Sequence, residues 1–119
     1  MYSCIKLSKK SQIKLLQAFA EDIPKDWSIF AHHMTVVFGK GLPNQQDLDK
    51  NIQLIVTHVG MSKKAMAVKV EGYPSNNKIP HITLAVSPDG KPVMSNDIKN
   101  WSKVDNIKLN GVATEIHFA

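Results

Sequence analysis

At 119 residues, 43% apolar and 21% charged, the chain has the make-up of one ordinary globular domain, expected to span 1–119. No apolar run approaches the ~18–20 residues that cross a bilayer, and Met1-Tyr-Ser-Cys-Ile-Lys6 lacks the parts of a secretory leader. The lone Cys4 excludes an internal disulfide, and a net charge of +5 spread over scattered lysines permits an anionic ligand without demanding a long duplex. We therefore expect a cytoplasmic monomer with no membrane partner.

Tyr2–Leu7 alternates and favours a first strand. Ser8 or Ser11 can cap the helix that follows, whose apolar stripe is Ile13, Leu16 and Ala20, flanked by Leu15 and Phe19. Pro24 closes that region, and residues 21–26 read as a loop. The run from Trp27 to Phe38 ends in the turn Gly39-Lys-Gly-Leu-Pro43. Asn44 can cap a short helical turn through Asp47 to Lys50. Ile52, Leu54 and Val56 alternate as a strand, and after a turn at Gly60–Lys64 a cleaner strand places Met66, Val68 and Val70 on one face. These two form a hairpin. A polar loop, Gly72–Lys78, leads to the apolar run ending at Val86. Pro88–Pro92 turns the chain, Ser95 caps a short helix through Trp101, and Ile107–Phe118 is a closing strand bent near Gly111. The fold class is α+β.

Two runs carry the same pattern. His33-Met-Thr35 and His81-Ile-Thr83 are each His-x-Thr inside an apolar strand, 48 residues apart. Residues i and i+2 of a strand share a face, so each run offers an imidazole and a hydroxyl together, while Met34 or Ile82 points into the core. Two imidazoles can divide acid and base work near neutral pH, and two hydroxyls can hold a phosphate in line. Cleaving a phosphodiester needs that set: a nucleophile deprotonated, a leaving oxygen protonated, and charge on the non-bridging oxygens neutralised. No carboxylate cluster and no third ligand accompany the histidines, so neither a metal nor another cofactor is expected.

The paired motifs, and the context Lys78-Ile-Pro-His-Ile-Thr-Leu-Ala-Val86 followed by Lys91-Pro-Val-Met-Ser-Asn96, resemble the 2H phosphoesterase superfamily of LigT-like proteins. The similarity is to the cyclic phosphodiesterase and RNA-repair branch related to tRNA ligases, and it covers nearly the whole chain. The resemblance implies a bilobal fold with antiparallel sheets lining a central cleft and short helices outside. It implies metal-independent hydrolysis of RNA-type phosphodiesters: 2′,3′-cyclic phosphate ends, or small cyclic or 2′-5′ linked nucleotides. His33 and His81 would be the acid and base in an order left open, and Thr35 and Thr83 the phosphate-binding hydroxyls. The partner would be an RNA end or a small cyclic oligonucleotide. The other reading is a non-catalytic RNA- or nucleotide-binding module.

Other residues carry weaker expectations. His32 has the opposite parity from His33 and should sit behind the sheet, unless a bulge makes it the catalytic one. His58 reads as structural on the Leu54 face, and His117 as exposed. Cys4, Trp27 and Trp101 read as core residues. Tyr73 could stack on a base and Lys78 could reach a phosphate, so both are candidate substrate-binding residues.

Overall fold

The alternation of Tyr2–Leu7 is realised as strand β1, which buries Ile5 and Leu7 and leaves Lys6 exposed, in a computed structural model that describes residues 1–117. Helix α1, Lys9–Phe19, is capped by Ser8, whose Oγ accepts the Ser11 N–H at 3.1 Å. Ser11 instead lies in the first turn, where its hydroxyl accepts the Asn110 N–H at 2.8 Å. That bond turns Ser11, Leu15 and Phe19 toward the sheet. The expected stripe is therefore rotated: Leu16 still packs on the core, but Ile13 is 46% exposed and Ala20 is exposed.

The remaining strands are β2 (Ser28–Ile29), β3 (His33–Phe38), β4 (Asn51–Met61), β5 (Ala65–Glu71), β6 (His81–Val86) and β7 (Trp101–Ile116). They hydrogen-bond in the order β2-β6-β3-β1-β7-β4-β5, and β5 also pairs with β6. That pairing closes six of the strands, all antiparallel, into a barrel. Two sheets on either side of a cleft were expected; among the described residues the strands instead form one continuous sheet. Closure leaves few free strand edges. Alternate residues fill the interior: Ile5, Met34, Leu54, Val68, Ile82, Leu84 and Leu109 are fully buried, and Leu15 and Phe19 of α1 join them. None of the helices described is long and apolar enough to cross a membrane.

The C-terminal third differs from expectation. Ser95 does not cap a helix through Trp101; it is buried inside a 3₁₀ segment, Pro92–Asp97, that begins at proline. Trp101 opens β7, which is therefore longer than the expected 107–118 strand; Phe118 lies outside the described residues. Ala65, Ala67, Val86 and Ile98 form a second buried cluster with Phe30, Met94 and Trp101 packed on it. This cluster pins the 92–97 segment against β5 and β6. Gly60 makes room for it, since a Cβ there would lie 2.6 Å from the Trp101 ring and 2.7 Å from Ile98. Strand β7 is irregular not at Gly111 but between Lys103 and Ile107, opposite the β4 bulge at Val56–His58.

Gly111 answers a different need. It pairs with Leu7 of β1 and Ile52 of β4, and a Cβ there would meet the Lys6 carbonyl oxygen and Ile5 Cγ2, each at 2.8 Å. A side chain normally improves a strand by roughly 0.5–1 kcal/mol over glycine. Here Gly111→Ala should destabilise by about 1–3 kcal/mol, because backbone is the obstacle and cannot swing aside. Urea unfolding measures this; an unchanged or raised midpoint contradicts the packing described.

Candidate active site

Strands β3 and β6 are neighbours, paired through Met34 and Ile82. Both side chains are 0% exposed and point into the barrel. Residues one place to either side of an inward-pointing residue in a strand point outward, so His33 and Thr35 of β3 and His81 and Thr83 of β6 take the opposite face. The motifs thus lie on adjacent strands of one sheet, facing the same side.

The two strands separate on either side of this pair. The Val36 carbonyl is taken by the Asn76 N–H at 2.7 Å, and the Thr83 and Leu84 carbonyls by the N–H groups of Ala31 and Phe30, both at 2.8 Å. Over the four groups lies a cleft of about 680 Å³. His33, Thr35, His81 and Thr83 all line it, with Tyr2, Phe30, His32, Phe38, Asn77, Pro92, Val93 and Asn96 around them. Its walls are the β1–β3 side and the 92–97 segment that the second cluster holds in place.

The two halves are built differently. His81 is 7% exposed, and its Nδ1 lies 2.8 Å from the Ile79 carbonyl oxygen. A carbonyl can only accept, so Nδ1 carries the hydrogen and Nε2 is the nitrogen left for chemistry. Thr83 Oγ1 sits 2.8 Å from the hydroxyl of buried Ser95. Ser75 Oγ donates to the Thr35 carbonyl at 2.8 Å and accepts the Asn77 N–H at 3.1 Å, which seats Asn77 at the cleft. His33 lies between two rings, Tyr2 at 5.5 Å and His32 at 6.4 Å between centroids.

Some expectations are corrected. His32 is not behind the sheet; it is exposed and lines the cleft beside His33. The cause is Ala31, whose φ of 59° is left-handed and breaks the alternation that strand parity assumes. Tyr73 and Lys78 do not line the cleft. The Tyr73 hydroxyl donates to Asp47 Oδ2 at 2.6 Å, its ring packs against the core, and burial followed by Asp47 pushes its pKa up to about 12. Lys78 is simply exposed. Asn77, its neighbour, is the loop residue that reaches the cleft. His58 sits at the β4 bulge with Nδ1 2.9 Å from Thr57 Oγ1, and His117 is exposed on another hollow. Cys4 is buried, and burial raises its thiol to about 11, leaving it inert. Asn96 had a signal in the Lys91–Asn96 run; Tyr2, Phe38 and Asn77 had none, since only tertiary pairing brings them here.

Burial, and then the nearby His32 and His81, lower the His33 pKa from 6.5 to about 4. Burial also lowers His81, opposed by the Ile79 carbonyl. Among the described residues no group of three or more His, Cys, Asp or Glu is arranged to hold a metal ion. The His33 shift has a sign for stability. Above pH 6.5 His33 is neutral folded and unfolded, so it costs nothing. As pH falls from 6.5 toward 4, the unfolded chain gains a proton that the folded one refuses, and stability drops. The full loss is about 3 kcal/mol. Urea unfolding from pH 7 to pH ~4.5 should show this decline, and His33→Gln should flatten it; parallel curves for the two proteins contradict it.

The fungal tRNA ligase phosphodiesterase domain family matches residues 2–118, almost the entire chain. No curated protein gives a significant match. The family's description carries a phosphodiesterase function and an RNA-type substrate. The paired strands, the cleft above them and this match agree: the chain belongs to the fungal tRNA ligase phosphodiesterase domain family, a branch of 2H phosphoesterase type.

Proposed function

We propose that this single domain is a 2H-type phosphodiesterase that hydrolyses RNA-type phosphodiesters without a metal. Its substrates are 2′,3′-cyclic phosphate ends or small cyclic or 2′-5′ linked nucleotides. The observation that carries this reading is the β3–β6 register, which gathers His33, Thr35, His81 and Thr83 on one face of the sheet, under one cleft.

The asymmetry of the histidines supports a division of labour. A neutral His33, its pKa depressed to about 4, is the general base. It removes a proton from a water whose oxygen attacks phosphorus. His81, whose imidazolium is supported at Nδ1 by the Ile79 carbonyl, is the acid. It gives its Nε2 proton to the ribose oxygen as the P–O bond breaks, leaving a nucleoside monophosphate. His33 ends protonated and His81 neutral, and exchange with solvent resets the pair. Thr35 and Thr83 donate to the non-bridging oxygens, Thr83 by turning its hydroxyl hydrogen from the Pro92 carbonyl, 3.4 Å away, to the substrate. Phe38 and Val93, 79% and 67% exposed at the cleft, offer an apolar rim for base or ribose.

The test is turnover of 2′,3′-cyclic nucleotides, 2′-5′ oligoadenylate and cyclic di- and trinucleotides in EDTA. Activity on at least one should survive the chelator and fall by about 10²–10⁴ in both His33→Ala and His81→Ala. In kcat/KM, the acid and basic limbs should bracket a window on the acid side of neutrality, because both imidazoles are depressed. Binding without turnover sinks the enzyme reading in favour of a binding module, and loss of turnover in EDTA sinks the metal-free one.

A further inference from the structure

We propose that His32 is the cleft's cation: a third imidazole that binds the substrate's phosphate charge while His33 and His81 exchange protons. The inference rests on reading the cleft as a phosphodiester site.

An anion in this cleft has few sources of positive charge. The chain has fifteen lysines and no arginine, and no lysine lines the cleft. By strand register Lys6 lies across from His33 and Lys69 across from His81, yet neither reaches the lining. An acid–base pair holds one proton between its two members, so it presents one positive charge at a time. Hydroxyl dipoles from Thr35 and Thr83 add hydrogen bonds but no charge. A phosphorane-like transition state, carrying more charge than the ground state, would be left short.

His32 is placed to make up the difference. It lines the cleft and is exposed, within reach of a bound anion. Its ring stacks on His33 at 6.4 Å with an interplanar angle of 12°, and meets the Phe30 ring edge-on at 5.8 Å.

The backbone is bent to achieve this. Ala31 is buried and left-handed at φ 59°, a conformation that costs a non-glycine residue roughly 1–2 kcal/mol. Hydrogen bonds on both sides hold it: the Ala31 N–H donates to the Thr83 carbonyl and the Leu7 N–H to the His32 carbonyl, both at 2.8 Å. Regular alternation would send His32 to the face opposite His33. The strained turn sends both imidazoles into one cleft, and strain held this firmly points to use.

The experiment is calorimetric binding of adenosine 2′-monophosphate and of adenosine to the wild type, His32→Gln, His32→Lys, Lys6→Gln and Lys69→Gln. The wild type should prefer the nucleotide. His32→Gln should weaken nucleotide binding about tenfold and change adenosine binding by less than about twofold, the loss of one charge-assisted hydrogen bond. His32→Lys should recover most of the loss, and the two surface lysine variants should bind as the wild type does. Nucleotide affinity unchanged in His32→Gln overturns the proposal. So does a comparable loss in Lys6→Gln or Lys69→Gln, or a wild type that does not distinguish nucleotide from nucleoside. Because binding is read apart from turnover, a chain that hydrolyses nothing yet shows the His32 effect sinks the enzyme reading and leaves this one standing.

Discussion

Met34 and Ile82 are the pair on which the rest depends. Each is fully buried, and they face one another across β3 and β6. Burying two side chains of this size contributes several kcal/mol, of order 1.5–3 each, so slippage by one residue would cost that and expose the core face. The same pleat that commits them inward commits His33, Thr35, His81 and Thr83 outward. The site is thus held by apolar burial on the reverse side of the sheet rather than by bonds among its polar members. Barrel closure through β5 and β6 then removes the remaining freedom of β6.

Around that register the two halves diverge. His81 is tied through Nδ1 to its own loop, and Thr83 to Ser95 in a segment locked by the Ile98–Trp101 cluster. His33 has ring neighbours instead, Tyr2 and His32, and a more depressed pKa. A symmetric motif set in unequal surroundings is how two like groups acquire unlike roles. The cost of that inequality shows as lost stability in acid, where His33 resists its proton.

Much of this was legible in the sequence, and the failures share a cause. Strands β1, β5 and β6 form over the apolar runs that announce them, despite register shifts at Ser3/Cys4 and Met66/Ala67, and His81 and Thr83 both line the cleft. Parity also brought His33 and Thr35 to the cleft. It failed for His32, because a left-handed Ala31 is an excursion that no local pattern announces. It failed for the α1 stripe, because the Ser11–Asn110 bond, between residues far apart in sequence, sets the helix rotation. The expected helix from Ser95 through Trp101 does not form, because a serine before apolar residues looks like a cap whether or not its hydroxyl is claimed elsewhere, here by Thr83, and the helical turn lies earlier, over Pro92–Asp97. Tyr73 had the chemistry of a stacking residue, but Asp47 engages its hydroxyl.

The central claim is that His33 and His81 act on one phosphate. Imidazole nitrogen NMR of ¹⁵N-histidine-labelled protein tests it most directly, by titration with adenosine 2′-monophosphate. The account predicts that the His33 and His81 ring resonances move together along one saturation curve, while His58, at the β4 bulge, stays still. Movement of only one of the pair, or of neither while the nucleotide binds, would contradict it.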